Sequence, residues 1–158
     1  MSAQLIYDLA PLGSVIRYSY GQPRPPERHR KKLSAWQSTN GGGRLVRKQA
    51  EQRVGNANIP ASITLHEGDH GSREIIVLRV FRSFSVTSAL RFVVTERPAV
   101  GAVRVVDRAG ENAELVHLAS NRAAAEEWLT RHGYPNAVLD EVTTDGVEAD
   151  VVEERAVA

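Results

Sequence analysis

Between Ser62 and Asp107 the chain alternates runs rich in β-branched and aromatic residues with turn signals, and this alternation limits the possible folds more than any other feature. The runs are Ser62 to His66, Arg73 to Phe84, Leu90 to Arg97 and Ala102 to Asp107. They are interrupted by Gly68-Asp69-His70-Gly71, by the region of Thr87-Ser88 and by Pro98 to Gly101. Strand formers bounded by Gly, Pro, Asp and Ser at this spacing predict an antiparallel meander. Glu114 to Ala119, after the turn Asp107-Arg108-Ala109-Gly110, extends it to a sheet of about five strands, the usual size. Ile76, Leu78, Val80, Leu90, Phe92, Val94, Val103 and Val105 are expected to face the core, because side chains alternate across a strand.

Flanking segments predict the helices of an α+β fold. Leu5 to Ile16 is a short apolar stretch broken by Pro11 and Gly13, with an edge strand expected around Ser14 to Tyr20. Pro23, Pro25 and Pro26 make a stiff lead-in, since each fixes φ and biases its predecessor away from helix. A helix from Glu27 to about Asn40 follows, stopped by Asn40-Gly41-Gly42-Gly43, which reads as a C-cap and hinge. Its apolar stripe is thin, Leu33, Ala35 and Trp36, while Arg28, Arg30, Lys31, Lys32 and Gln37 face out. Arg44 to Lys48 reads as a short strand and Gln49 to Ala61 as a loop. A second helix is capped by Ser120 or Asn121, lines one face with Ala125, Trp128 and Leu129, and stops at Gly133-Tyr134-Pro135. Ala137 to Val142 is a further strand, and the tail 143–158 a short helix or frayed coil. The expectation is one α+β domain over 1–158, with a mostly antiparallel sheet and two main helices.

Charge is unevenly spread. Residues 17–53 carry ten Lys/Arg against Glu27 and Glu51, a balance of +8 within a total of +1. Residues 139–158 sum to −6. Such a bipolar chain attracts a polyanion at one end and can screen that end with the other, or imitate a phosphate backbone. Cysteine is absent, which excludes disulfides, thiol nucleophiles and cysteine-ligated metals. No apolar run approaches the roughly 20 residues of a bilayer span, and no leader is read at Met1 to Tyr7, so a cytoplasmic protein without membrane contact is expected. Seventeen arginines against three lysines suggest a GC-rich bacterial coding background.

The basic segment supplies the candidate site. Arg24, Arg28, Arg30, Lys31, Lys32, Arg44, Arg47 and Lys48 are the residue types that contact phosphates, and Trp36, Tyr18 and Tyr20 the types that stack on bases. Arg79, Arg91 and Arg104 each interrupt an apolar strand and, if register aligns them, form a second basic face. His66, Glu67, Asp69 and His70 are metal-ligand types, but their spacing suits a solvated turn, so no metal or other cofactor is expected. No Gly-x-Ser-x-Gly elbow occurs, and Gly41 to Gly43 lacks the Gly-Lys-Ser/Thr ending of a phosphate loop, so no catalytic residue is named.

Two functions follow from the charge pattern. The first is a small, non-enzymatic accessory protein that binds DNA or RNA. The second is a protein-binding module or inhibitor that engages a macromolecular complex through its charged faces. The run Leu5 to Pro11 followed by the Pro/Arg-rich segment resembles proteins encoded on bacterial mobile elements, which would suit the second reading. Self-association is left open by the same bipolar surface.

Overall fold

The Ser2 hydroxyl accepts the Leu5 N–H at 3.2 Å and so opens a helix, α1 (Ala3–Leu9), where only an apolar approach to a strand was expected. The protein, seen here in a computed structural model, is described over residues 1–72 and 75–144, with the backbone alone at Val77. Expectations for the acidic tail lie, from 145 onward, outside the described residues. Ala3, Ile6 and Leu9 form the buried stripe of α1.

That stripe lies against one face of a five-stranded antiparallel sheet, formed by β1 (Val15–Ser19), β2 (Gly41–Gln49), β5 (Ser62–Ser72), β6 (Ile75–Ser85) and β7 (Arg91–Glu96). Their order is β6-β5-β2-β1-β7. A second sheet, β10-β8-β9, is built from β8 (Val103–Val106), β9 (Leu115–Ala119) and β10 (Val138–Glu141). It carries helix α3 (Arg122–Arg131), whose first turn is capped by the Asn121 side chain accepting from Ala124 N–H at 2.8 Å. A small exposed hairpin, β3 (Gln52–Val54) and β4 (Ala57–Ile59), occupies the expected loop, turning at Gly55 with φ +61°. The fold is mixed α+β and mostly antiparallel, but the described residues hold ten strands in three sheets, not about five in one.

Neither the meander nor the edge strand survives. β6 and β7 lie at opposite edges of the large sheet, and β1 is an interior strand between β2 and β7. Pairing β7 with β1 places Phe92 among the aromatic rings, 5.3 Å from Phe84 and 6.3 Å from Tyr18, an arrangement a β6–β7 hairpin would not give. The turn expected at Gly68 to Gly71 is the outer part of β5, with register shifts on its β6 partner. There β5 and β6 outrun the rest of the sheet, because β2 pairs with β5 only from Ser62 to His66. Ile76 and Leu78 are therefore exposed instead of buried.

The basic helix is α2 (Arg30–Ser38), shorter than predicted. His29 at its N-terminus provides no side-chain cap, so Glu27 and Arg28 stay in a turn. Its end is made by Thr39 and Asn40: the Thr39 N–H and hydroxyl and the Asn40 side-chain amide all donate to the Trp36 carbonyl, at 2.8 to 3.1 Å. The glycines that follow are no hinge. Gly41, Gly42 and Gly43 are the first residues of β2, where a Cβ would lie 2.6 Å from the Tyr18 hydroxyl, 2.8 Å from the Ile16 carbonyl and 2.5 Å from the His66 carbonyl. Absence of a side chain, not freedom of φ, is what these positions need.

Three hydrophobic clusters result. The largest joins α1 to the large sheet through Ile6, Ile16, Leu45, Ile63, Leu65 and Phe92. Another packs α3 on the small sheet through Val103, Val105, Ala119 and Ala125. The third, Val46, Val106, Ala113 and Leu115, connects the two sheets. Gly43→Ala is expected to lower unfolding stability by about 2–3 kcal/mol, since the nearest atoms its Cβ would meet are all backbone, of His66 and Glu67, whereas Gly68→Ala, in open space, should stay within about 0.5 kcal/mol. Urea denaturation of both variants checks the contrast.

Candidate nucleic-acid interface

Helix α2 buries no residue and must be held by polar contacts. Arg82, on β6, provides the principal one. Its Nη1 donates to the Ser38 carbonyl at the end of α2, at 2.5 Å, and to the Tyr18 hydroxyl at 2.9 Å. Tyr18 in turn donates to the Glu67 carboxylate, which lies 3.6 Å from the Arg82 Nε. The guanidinium also sits 5.7 Å from the Tyr18 ring centre. Burial, then the hydrogen bond to Glu67 and its charge, push the Tyr18 hydroxyl up to about 12, with Arg82 opposing. A second tie runs from the Trp36 indole N–H to the Gln22 carbonyl at 2.8 Å, closing the proline lead-in against the helix.

Two open grooves flank Trp36. One, about 460 Å³, is lined by Tyr20, Gln22, Pro23, Pro25, Lys32, Ala35, Trp36 and Thr39. The other, about 570 Å³, runs between α2 and the sheet past Arg17, Arg24, Asn40, Val93 and Thr95. Lys32 and Trp36 are four residues apart and so share one helix face. Arg91 belongs to this neighbourhood: its guanidinium lies beside Gly21, and its partner across the ladder is Ser19. Arg24 meets Glu27 at 3.5 Å, both exposed, while Arg28, Arg30, Lys31 and Lys32 have no acidic partner among the described residues. Tyr20 is 56% exposed and free to stack, whereas Tyr18 is 3% exposed and belongs to the core.

The other expected contacts are dispersed. Arg44 lies on the sheet face away from α1 and donates to the Gly13 carbonyl at 2.6 Å. Arg47 turns to the joint between the sheets, opposite Glu114. There burial would raise the Asp107 carboxyl, but hydrogen bonds from Arg108 and the Glu114 N–H, with the charges of Arg108 and Arg47, hold it below the usual carboxylate range. Lys48 is on the α1 side, 5.9 Å from the Tyr7 ring centre. A β-bulge at Val46 causes this division, since an extra residue shifts which face the following side chains meet.

The arginine ladder does not form either. Arg79 sits on edge strand β6 with Asp69 at 3.7 Å, Arg91 on the opposite edge, and Arg104 in the small sheet, bonded to Asp140 at 2.6 Å. Strand order overrides the alignment, because the three residues never occupy neighbouring strands. The candidate surface thus groups Arg24, Arg28, Arg30, Lys31, Lys32, Trp36 and Tyr20 of the expected residues, leaves Arg44, Arg47, Lys48 and Tyr18 elsewhere, and adds Arg17 and Arg91. Arg17 carried a sequence signal only as one charge of the basic segment, and Arg82 carried none.

Residues 1–146 match the family model described as uncharacterised conserved protein UCP036055. No curated protein and no solved structure matches the chain. Tyr18→Phe is expected to cost about 1–3 kcal/mol, because Glu67 and Arg82 lose a buried partner. A hydroxyl raised from 10.0 to about 12 stabilises the fold fully below pH 10 and loses that contribution as pH rises towards 12. The variant's stability, followed by denaturation across that range, should therefore lack this alkaline decline.

Proposed function

We propose that this chain, which belongs to the family of uncharacterised conserved proteins UCP036055, is a small accessory protein that binds single-stranded nucleic acid along α2. The observation that carries the reading is the pairing of Arg28, Arg30, Lys31 and Lys32, none with an acidic partner among the described residues, with grooves walled by Trp36 and Tyr20. Cations along a groove attract the phosphate backbone, and exposed flat rings stack on bases irrespective of sequence. Arg17, Arg24 and Arg91 extend the charge towards the sheet, so a strand lying past Trp36 meets guanidinium groups on both sides of the helix. Arg82 acts as a positioning residue, since it fixes the end of α2 to the sheet.

One observation favours a second reading, a protein-binding module. Edge strand β6 leaves Ile75, Ile76, Leu78 and Phe81 exposed, no strand among the described residues pairs with its outer edge, and such an apolar edge is a template for another chain. A pull-down after nuclease treatment separates the two: a stoichiometric protein that persists supports the second reading, and loss of all captured material supports the first.

Fluorescence anisotropy with unstructured oligonucleotides should give an affinity that falls with salt at a log–log slope of about −4, as expected for five to six neutralised phosphates. Each alanine at Arg28, Arg30, Lys31 or Lys32 should flatten the slope by about 0.7 unit. Trp36→Leu should weaken binding by about 1–3 kcal/mol without changing the slope. Absence of binding at about 50 mM salt overturns the proposal.

A further inference from the structure

Away from α2, the two sheets enclose a cleft of about 430 Å³. One wall comes from the large sheet, with Arg44, His66, Asp69, Arg79 and Phe81; the other from β9 and the end of α3, with His117, Trp128, His132 and Tyr134. Its volume falls in the range of small-molecule sites, which runs from about 300 to 1,000 Å³.

The second wall is a set of nearly parallel rings. Trp128 stacks with His132 at 3.9 Å and 8°, with His117 at 4.7 Å and 2°, and with Tyr134 at 5.6 Å and 17°. Burial, and after it the charge of His132, holds the His117 imidazole below its ordinary value. That favours its uncharged form, and the ring is one layer of the column built on Trp128. The His132 Nδ1–H donates to the Trp128 carbonyl at 2.8 Å, which leaves Nε2 available.

The first wall is polar. Asp69 is occupied by His66 Nε2 at 2.7 Å and by Arg79 at 3.7 Å. Glu114 lies within the charge field of Arg108. Arg44, held by the Gly13 carbonyl, has no carboxylate partner among the described residues. A column of stacked rings that shares the cleft with a guanidinium suits a ligand combining a planar ring, which can continue the stack, with an anionic group.

We propose that the cleft between the two sheets binds a nucleoside monophosphate, with its base against the Trp128 stack and its phosphate on Arg44. Stacking and a charge-assisted hydrogen bond are the two interactions such a ligand needs. The nucleotide can be free, or it can be the phosphorylated end of a strand. The inference does not rest on the α2 reading, because none of the α2 cations lines this cleft.

The test is a titration of the full chain with AMP, adenosine and inorganic phosphate, followed by the indole N–H signals of its two tryptophans, Trp36 and Trp128. AMP should shift the Trp128 signal with saturation below about 1 mM, and adenosine or phosphate alone should bind at least tenfold more weakly. Arg44→Gln should weaken AMP at least tenfold while leaving adenosine unchanged, and Trp128→Leu should weaken both. The variant with alanine at Arg28, Arg30, Lys31 and Lys32 should keep AMP binding, which separates this site from the α2 interface. A 5′-phosphorylated oligonucleotide that competes with AMP identifies a strand end as the source, and competition only by mononucleotides identifies the free ligand. The proposal is overturned if AMP leaves Trp128 unshifted at about 5 mM, if it shifts Trp36 alone, or if adenosine or phosphate binds as tightly as AMP. These comparisons use the unaltered protein and hold even where Arg44→Gln fails to fold.

Discussion

Strand β2 must lie in the middle of the large sheet with three residues of bare backbone followed by a bulge, and the other elements are arranged around that requirement. At Gly41 to Gly43 the neighbouring Tyr18 ring and the backbones of Ile16 and His66 occupy the space a Cβ would need. The strand can then pair closely with β1, which brings Tyr18 to Glu67 and Arg82. Past Leu45 the bulge sends Val46 to the cluster between the sheets, while Leu45 remains in the main core. One strand therefore serves two cores, and the small sheet is attached where its ladder is irregular. Leu45 N–H and the Gly13 N–H, exchanged with the Ser14 and Leu45 carbonyls at 2.8 Å, tie the start of β1 to the same point.

This arrangement explains why α2 projects. The helix joins the end of β1 to the start of β2, over a region of the sheet that has glycines in place of side chains. It finds little apolar surface there and buries no residue. Arg82 and the Trp36 indole substitute for a hydrophobic seat with directed hydrogen bonds. A helix that is polar nearly all round is stable only with such support. The same circumstance leaves its cations exposed and its single tryptophan standing between two grooves.

Legibility in the sequence followed how local each determinant is. Helix α3 was evident from Asn121, the spacing of Ala125, Trp128 and Leu129, and the following Gly133, all within one short segment. The strands of the middle region were evident from alternation alone. Helix α1 was missed because its apolar content resembles a strand and its cap is a single serine, and the β3–β4 hairpin because it buries nothing. The triple glycine was misread, since a run of glycines near a helix end satisfies the usual stop signal, and only the neighbours of β2 reveal the steric need. Of the candidate surface around α2, charge and tryptophan were visible in the basic segment. Arg91 was visible as an arginine but assigned to the wrong company, and Arg82 lies in a strand with no feature that marks it.

The sequence by itself determined the mixed α+β class, the antiparallel character, the position of α3 and the concentration of cations before residue 53, because each follows from periodicity, turn chemistry or residue count over a short span. Tertiary structure decided which strands are neighbours, and with them which charges share a surface. A strand's sequence specifies its two faces but not its partners, and partners are chosen by the fit of distant side chains such as Phe92 against Phe84 and Tyr18. That choice placed Arg91 beside the approach to α2, sent Arg79 and Arg104 elsewhere, and opened between the two sheets a cleft whose walls come from segments far apart in the chain.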